Sequence, residues 1–262
     1  LEDISAPRCF EIEKRLKAEL DIPVFHDDQH GTAIVTLAGL INAAKITNKE
    51  LKDLKVIING AGAAGVAIMT ILQDVNITDI VVLDSKGSIY EGREDIINNK
   101  SKVSISKTTN KNLLKGNLTE MIKNRDVFIG VSVANLLTEE MVESMNKDPI
   151  IFALANPDPE ILPDLAKKAG AKIIATGRSD FPNQVNNVLG FPNIFRGTFD
   201  ARASDINKEM ILAAAYALAK SVENLAVDKI IPDPFETKYR GIVAKAVYDA
   251  AIKSGVSRLN SE

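Results

Sequence analysis

Two stretches of this 262-residue chain combine residue types and spacing that could do chemistry. The first is Gly60-Ala61-Gly62-Ala63-Ala64-Gly65, which follows the apolar run Val56-Ile57-Ile58-Asn59 and fits the G-x-G-x-x-G pattern. In such a turn the first Gly permits the tight bend, the second lets backbone approach a pyrophosphate, and the third allows close helix–strand packing. The helix that opens there offers unpaired N–H groups and partial positive charge to phosphates. The next apolar run ends at Asp84, placed to accept from the adenosine ribose hydroxyls of NAD. Lys86 stands two residues on and would suit the 2′-phosphate of NADP, so both cofactors stay open.

The second stretch is His26-Asp27-Asp28-Gln29-His30. Asp27-Asp28 and Glu2-Asp3 are two adjacent acidic pairs read as lying on loops rather than on helix faces. Three carboxylate ligands suit Mg2+ or Mn2+, with water and substrate completing an octahedron. Taken on its own, each pair is more often a helix cap or a solvated charge. His26 and His30 imitate H-E-x-x-H, but that zinc motif needs both His on one helix with a Glu base, and here the second residue is Asp. The two His read instead as hydrogen-bonding groups beside the acidic pair.

A third set is rich in amides. Asn156 follows the strand-like Ile150–Leu154, and Asn183, Gln184, Asn186 and Asn187 lie in one short segment. Ligands of parallel sheets bind beyond the carboxyl ends of strands, which suits Asn156. Asn can read carboxylate, hydroxyl and carboxamide groups without adding charge. The 183–187 segment is equally compatible with a turn and a helix cap.

The elements that must position these groups alternate. Strands are expected at Val56–Asn59, Ile80–Leu83, Asp126–Val131, Pro149–Leu154 and Ala171–Ala175. Between them helices are expected at Val66–Gln73, Leu118–Asn124, Thr138–Met145 and Pro159–Ala169, with 92–116 as surface loop and helix and Lys86-Gly87 as a turn. This pattern argues an α/β, doubly wound parallel sheet with helices on both faces and right-handed crossovers. Upstream, a helix begins near Pro7, with Glu11 and Glu13 in its first turns complementing the dipole. Asp21–Phe25 reads as a short strand, and Thr32–Ile46 as a helix apolar on most sides, hence buried or domain-bridging. After Gly177 the text loses its period until two closing helices, Lys208–Glu223 and Lys238–Lys253.

Composition narrows the function classes. A 45% apolar content supports a substantial core, and a net charge of −3 with no Trp disfavours a nucleic-acid partner. The single Cys9 and the lack of a secretory signal point to the reducing cytoplasm. No apolar run is long enough for a membrane span.

Taken together, Leu1-Glu2-Asp3-Ile4, the segment from Phe25 through Asp-Asp-Gln-His-Gly-Thr to Ala33, Gly60 to Gly65, Ala155-Asn156-Pro157 and Gln184-Val185-Asn186-Asn187 resemble the malic enzymes, most closely the short bacterial and archaeal type. The resemblance covers essentially the whole chain in order. It implies oxidative decarboxylation of (S)-malate to pyruvate and CO2 with NAD or NADP and Mg2+ or Mn2+, in a dimer or tetramer. It implies a Rossmann-type NAD(P)-binding domain over 28–262 with C-terminal helices, preceded over 1–27 by the end of a catalytic domain. Carried across by motif, Glu2, Asp3 and Asp28 are the expected metal ligands and Asp27 a neighbour that tunes them. Asn156 and Asn187, with Asn186 beside it, are expected at malate and the nicotinamide ribose. The family's general base and acid are a Lys and a Tyr in an N-terminal domain. No matching segment precedes Leu1, and Tyr90, Tyr216, Tyr239 and Tyr248 lie in the wrong context. The chain is therefore expected to lack about the first third of the enzyme and to bind cofactor without turning over malate.

Two other readings compete. An amino-acid dehydrogenase of related architecture would use a substrate-binding Lys rather than a metal, so EDTA would leave its activity intact. A non-catalytic dinucleotide-binding module would need neither.

Overall fold

Short runs that are apolar on both faces belong at the centre of a parallel sheet, where helices above and below bury every side chain. The computed structural model, which describes residues 1–259, places them so. Strands β1 (Val56–Asn59), β2 (Ile80–Asp84), β3 (Gly87–Ser88), β4 (Val127–Gly130), β5 (Ile150–Ala153) and β6 (Ile173–Thr176) form one sheet in the order β3-β2-β1-β4-β5-β6. All neighbours are parallel except β2 and β3. The sheet is therefore mostly rather than wholly parallel. Lys86-Gly87 does turn, and Gly87 at φ +108° sends the chain straight back along Leu83–Asp84 instead of into a crossover.

Among the described residues, ten α-helices cover this frame: α1 (Arg8–Glu19), α2 (Asp27–Ile46), α3 (Ala63–Asp74), α4 (Lys100–Thr108), α5 (Leu118–Met121), α6 (Glu139–Glu143), α7 (Pro163–Lys168), α8 (Phe191–Asp200), α9 (Lys208–Lys220) and α10 (Lys238–Lys253). Alternate strand residues feed two cores. Val56, Ile58, Val82, Ile129 and Phe152 join α2, α3 and α9 on one face; Ile57, Val81, Phe128 and Ile151 join α5, α6 and α7 on the other. Helix α2 is buried nearly all round, as its composition requires. Its Gly39 lets Phe152 approach, since a Cβ there would stand 3.2 Å from the ring.

Several local expectations give way to context. Asp21–Phe25 carries no strand and joins no ladder among the described residues, so its strand-like composition has no neighbour to pair with there. Helix α2 begins at Asp27 rather than Thr32, so the Asp27-Asp28 pair occupies a first helical turn and not a loop. Helix α7 starts only at Pro163, because a proline restricts the residue before it to extended backbone. Helix α8 lies in the stretch that shows no clear period. No described helix is long and apolar enough to cross a membrane. The last three residues of the expected 28–262 segment fall outside the described residues.

Candidate active site

The carboxyl ends of β1, β2, β4, β5 and β6 lie level, with Asn59 opposite Leu83 and Gly130, Gly130 opposite Ala153, and Ala153 opposite Thr176. The strand order reverses here, with β2 and β3 on one side of β1 and β4, β5 and β6 on the other, so a crevice opens between β1 and β4. Two clefts occupy it and share Ser132. One, of about 710 Å³, is lined by Gly60, Ala61, Asp84, Lys86, Lys102 and Asn117, among others. The other, of about 770 Å³, is lined by Glu2, Asp27, Asp28, Ala64, Asn156 and Asn187, among others.

The three motif glycines have separable reasons to be glycine. Gly60 sits at φ +125°, and a Cβ on it would stand 2.6 Å from the Val131 carbonyl oxygen. A Cβ on Gly65 would lie 1.8 Å from the Gly60 carbonyl oxygen, so this residue lets α3 seat against the turn. A Cβ on Gly62 would meet nothing within 4 Å. Gly62 is the N-cap of α3 and has no side-chain cap, so Gly62, Ala63, Ala64 and Gly65 present bare backbone N–H groups at a helix N-terminus.

The acidic groups meet. One carboxylate oxygen from each of Glu2, Asp3 and Asp28 lies within 4.8 Å of the others. The Asp3 N–H donates to Asp28 Oδ2 at 3.0 Å and hooks the first residues onto the start of α2. Burial, then the charges of Asp27, Asp28 and Asp3, hold the Glu2 carboxyl above its ordinary value. Asp27 is likewise pushed up, first by burial and also by Asp28, against the hydrogen bond from Asn187. Its Oδ1 is buried without a hydrogen-bond partner among the described residues. Crowded carboxylates are what a divalent cation would relieve, and the all-oxygen donor set of Glu2, Asp3 and Asp28 fits Mg2+ or Mn2+.

Asn187 joins this cluster to the rest of the cleft. Its Nδ2 donates to Asp27 Oδ2 at 3.0 Å, while its Oδ1 accepts from Thr32 Oγ1 at 3.0 Å. Asn156 lines the cleft with an exposed side chain, and Asn186 lines it while accepting from the Val188 N–H at 3.0 Å. Asn183 is structural: it is buried and ties Ile174, Val227 and Ile230 together.

Residues 29–252 match the family model described as the NAD-binding domain of malic enzyme. The chain belongs to the malic enzyme family. It is 58% identical over 261 residues to the bifunctional malic/malolactic enzyme of Bacillus subtilis, covering 99% of this chain and 63% of that one. With the NAD-dependent malic enzyme of Geobacillus stearothermophilus it shares 54% identity, over 98% of this chain and 54% of that one. The crystal structure of Entamoeba histolytica malic enzyme superposes with a TM-score of 0.96 at 42% identity, over 100% of this chain and 56% of that one. The chain thus spans between 54% and 63% of the length of these malic enzymes.

Within this malic-enzyme domain, Asp84 ends β2 and lines the first cleft but is not free. Its Oδ1 accepts from the Lys86 N–H and Arg93 Nη2, and its Oδ2 from Lys102 Nζ at 2.6 Å and Arg93 Nη2, all within 2.9 Å. Those bonds take up its roughly four lone-pair positions. Burial works against its charge, yet Lys102, the Lys86 N–H and Arg93 together hold its carboxyl below the usual value. The Lys86 ammonium reaches Asp95 at 3.2 Å.

Sequence reasoning passed over Glu160. Its carboxyl is fully buried and accepts from the Ser132 N–H at 3.0 Å and the Ala155 N–H at 3.1 Å, which links the ends of β4 and β5. A Cβ on Gly130 would collide with it at 2.2 Å. Burial pushes its carboxyl above its ordinary pKa, against those hydrogen bonds. Lys102, Arg93 and Ser132 were missed as well, because nothing in their local text sets them apart from surface polar residues.

Proposed function

We propose that the chain carries the dinucleotide and divalent-metal sites of a malic enzyme that oxidatively decarboxylates (S)-malate to pyruvate and CO2 with reduction of NAD or NADP. The reading rests on one observation: Glu2, Asp27, Asp28, Asn156 and Asn187 line the same cleft as Ala64, in the first turn of the glycine-motif helix. In this reading residues 1–27 close the malate side and residues 28–262 hold the dinucleotide. Glu2, Asp3 and Asp28 would hold a Mg2+ or Mn2+ ion, which would supply Lewis-acid polarisation of the malate C2 oxygen. A nicotinamide dinucleotide held there would supply the acceptor for the C2 hydride.

The chain's own residues orient and shelter these groups. Gly60–Gly65 receive the pyrophosphate at the N-terminus of α3. Asn187 holds Asp27 through Oδ2, while the buried Oδ1 lies over Gly31, where a Cβ would stand 2.1 Å from it. Asn156 and Asn186 offer uncharged donors and acceptors to malate and the ribose. Val131, Leu154, Val185 and Phe191 give the cleft apolar walls that exclude water. Glu160 fixes the loops bearing Ser132 and Asn156.

The reaction also needs a base for the C2 hydroxyl proton and an acid to protonate C3 after CO2 leaves. The described residues lining the cleft include no Lys and no Tyr. We therefore assign both proton transfers to residues outside this chain. A cytoplasmic homo-oligomer is part of the same proposal.

Titration of the 262-residue protein with NAD and NADP, followed by an assay with malate and Mn2+, tests both halves. Dinucleotide binding without malate-dependent NAD(P)H formation is expected. Failure to bind either dinucleotide would overturn the site, and turnover by the chain alone would overturn the division of labour.

A further inference from the structure

Beneath the acidic cluster runs a chain of buried polar groups that the proposed reaction does not use. Glu13 of α1 is 8% exposed, Gln29 5% and His26 0%. Glu13 Oε2 accepts from Gln29 Nε2 at 2.9 Å, the same Nε2 lies 2.8 Å from His26 Nδ1, and His26 Nε2 lies 2.9 Å from Asp28 Oδ2. Glu13 Oε1 meets His30 Nε2 at 2.6 Å and the Lys17 ammonium at 3.4 Å.

The direction of every bond in this chain follows from its first member. A carboxylate has acceptors only, so the atom of Gln29 that faces Glu13 must be the amide nitrogen. The second hydrogen of that NH2 then points at His26 Nδ1, which must offer a lone pair. A neutral imidazole with a bare Nδ1 carries its proton on Nε2, and that proton is donated to Asp28 Oδ2. The Asp3 N–H donates to the same oxygen. Asp28 Oδ2 is therefore held from two sides, and Oδ1 accepts no hydrogen bond among the described residues.

We infer that Glu13 is a positioning residue for the metal site: through Gln29 it sets the His26 tautomer, and so presents Asp28 with Oδ1 free to ligate. The opposite Gln29 orientation would turn its carbonyl to Nδ1, move the proton there, and set a bare Nε2 lone pair against the Asp28 carboxylate. Two acceptors facing each other at 2.9 Å would push the ligand out of place. The inference rests on the proposed metal role of Glu2, Asp3 and Asp28. Groups that hold a ligand from behind commonly change metal affinity by about 10- to 100-fold.

Two measurements test it. The chain has only two histidines, so 15N-imidazole NMR can read the His26 tautomer without any metal. The Nε2–H form is expected in the wild type and its loss in Glu13→Leu; an Nδ1–H form in the wild type would overturn the inference. Mn2+ titration of the wild type, Glu13→Leu and Glu13→Gln then reads the consequence. The amide introduced by Glu13→Gln still presents a carbonyl acceptor to Gln29, so near-wild-type affinity is expected there, against at least about tenfold weakening for Glu13→Leu. Equal Mn2+ affinity in all three proteins, or equal loss in both variants, would overturn the inference while leaving the metal site standing. A wild type that binds no Mn2+ would overturn the metal site itself and the inference with it.

Discussion

Gly62 and Gly65 differ by three positions in one motif, and substituting each with Ala separates binding from folding. The Cβ of Gly65→Ala would start 1.8 Å from the Gly60 carbonyl oxygen, and the obstacle is backbone, which cannot swing aside as a side chain would. Strand β1 and helix α3 must part by more than about 1 Å, a misfit at the upper end of overpacking costs, about 3 kcal/mol. For a domain of this size that corresponds to a fall in Tm of roughly 6–12 °C. The backbone of Gly62, at φ −84° and ψ −165°, already suits Ala, and its Cβ meets nothing. Gly62→Ala should therefore melt within about 4 °C of the wild type, the difference reflecting the poorer N-cap. Its methyl instead occupies the space through which the pyrophosphate would reach the N–H groups of α3. One lost hydrogen bond to a charged group weakens binding by about 1.5–3 kcal/mol, a 10- to 150-fold rise in Kd for NAD or NADP. Differential scanning fluorimetry and nucleotide fluorescence titration read the two effects. Wild-type affinity in a folded Gly62→Ala protein, or wild-type melting of Gly65→Ala, would refute the assignment of roles within the motif.

Two further outcomes follow from the charges. Lys102 and Lys86 both line the adenosine-side cleft, and Lys102 also occupies Asp84 Oδ2. Lys102→Met should free that oxygen for a ribose hydroxyl and remove a cation, shifting the ratio of NADP to NAD Kd toward NAD by about tenfold, the scale of one charge-assisted bond; an unchanged ratio would reject the idea, and Lys86→Ala is the companion test. Burial works against the charge of Asp126, yet Lys49, the Lys55 N–H and Asn146 hold its carboxyl below the ordinary 3.8. The unfolded chain thus takes up this proton first, so the contribution is present above pH 3.8 and is lost as pH falls through the lower folded value. Melting curves taken down through that range should show a shallower acid slope in Asp126→Asn than in the wild type, and identical slopes would contradict the pairing.

Legibility followed the range of the interactions involved. The strands from Val56 to Thr176 and the glycine turn announce themselves locally, because parallel-sheet burial demands unbroken apolar runs and a phosphate turn demands residues without a Cβ. Helix ends were less legible. Asp27-Asp28 belong to α2 and not to a loop because the chain after Phe25 can start its helix early, with His26 as N-cap and two acidic residues in the first turn. Asp21–Phe25 has strand-like composition but no partner to pair with, and only the folded neighbourhood reveals that.

The same division runs through the site. Residue types alone determined that a dinucleotide turn and two carboxylate pairs exist, since glycine spacing and adjacent acids are written in consecutive letters. Tertiary structure decided that Glu2, Asp3 and Asp28 converge, that Asn187 reaches Asp27 across 160 positions, and that Glu160 ties two strand ends together. It also decided that Asp84 is already engaged by Arg93 and Lys102, and that Glu13 lies buried under the acidic cluster instead of serving a helix dipole. Hydrogen bonds and charge pairs act over about 3 Å whatever the sequence separation. Which polar groups find one another is therefore settled only once the sheet and its helices have brought them within that reach.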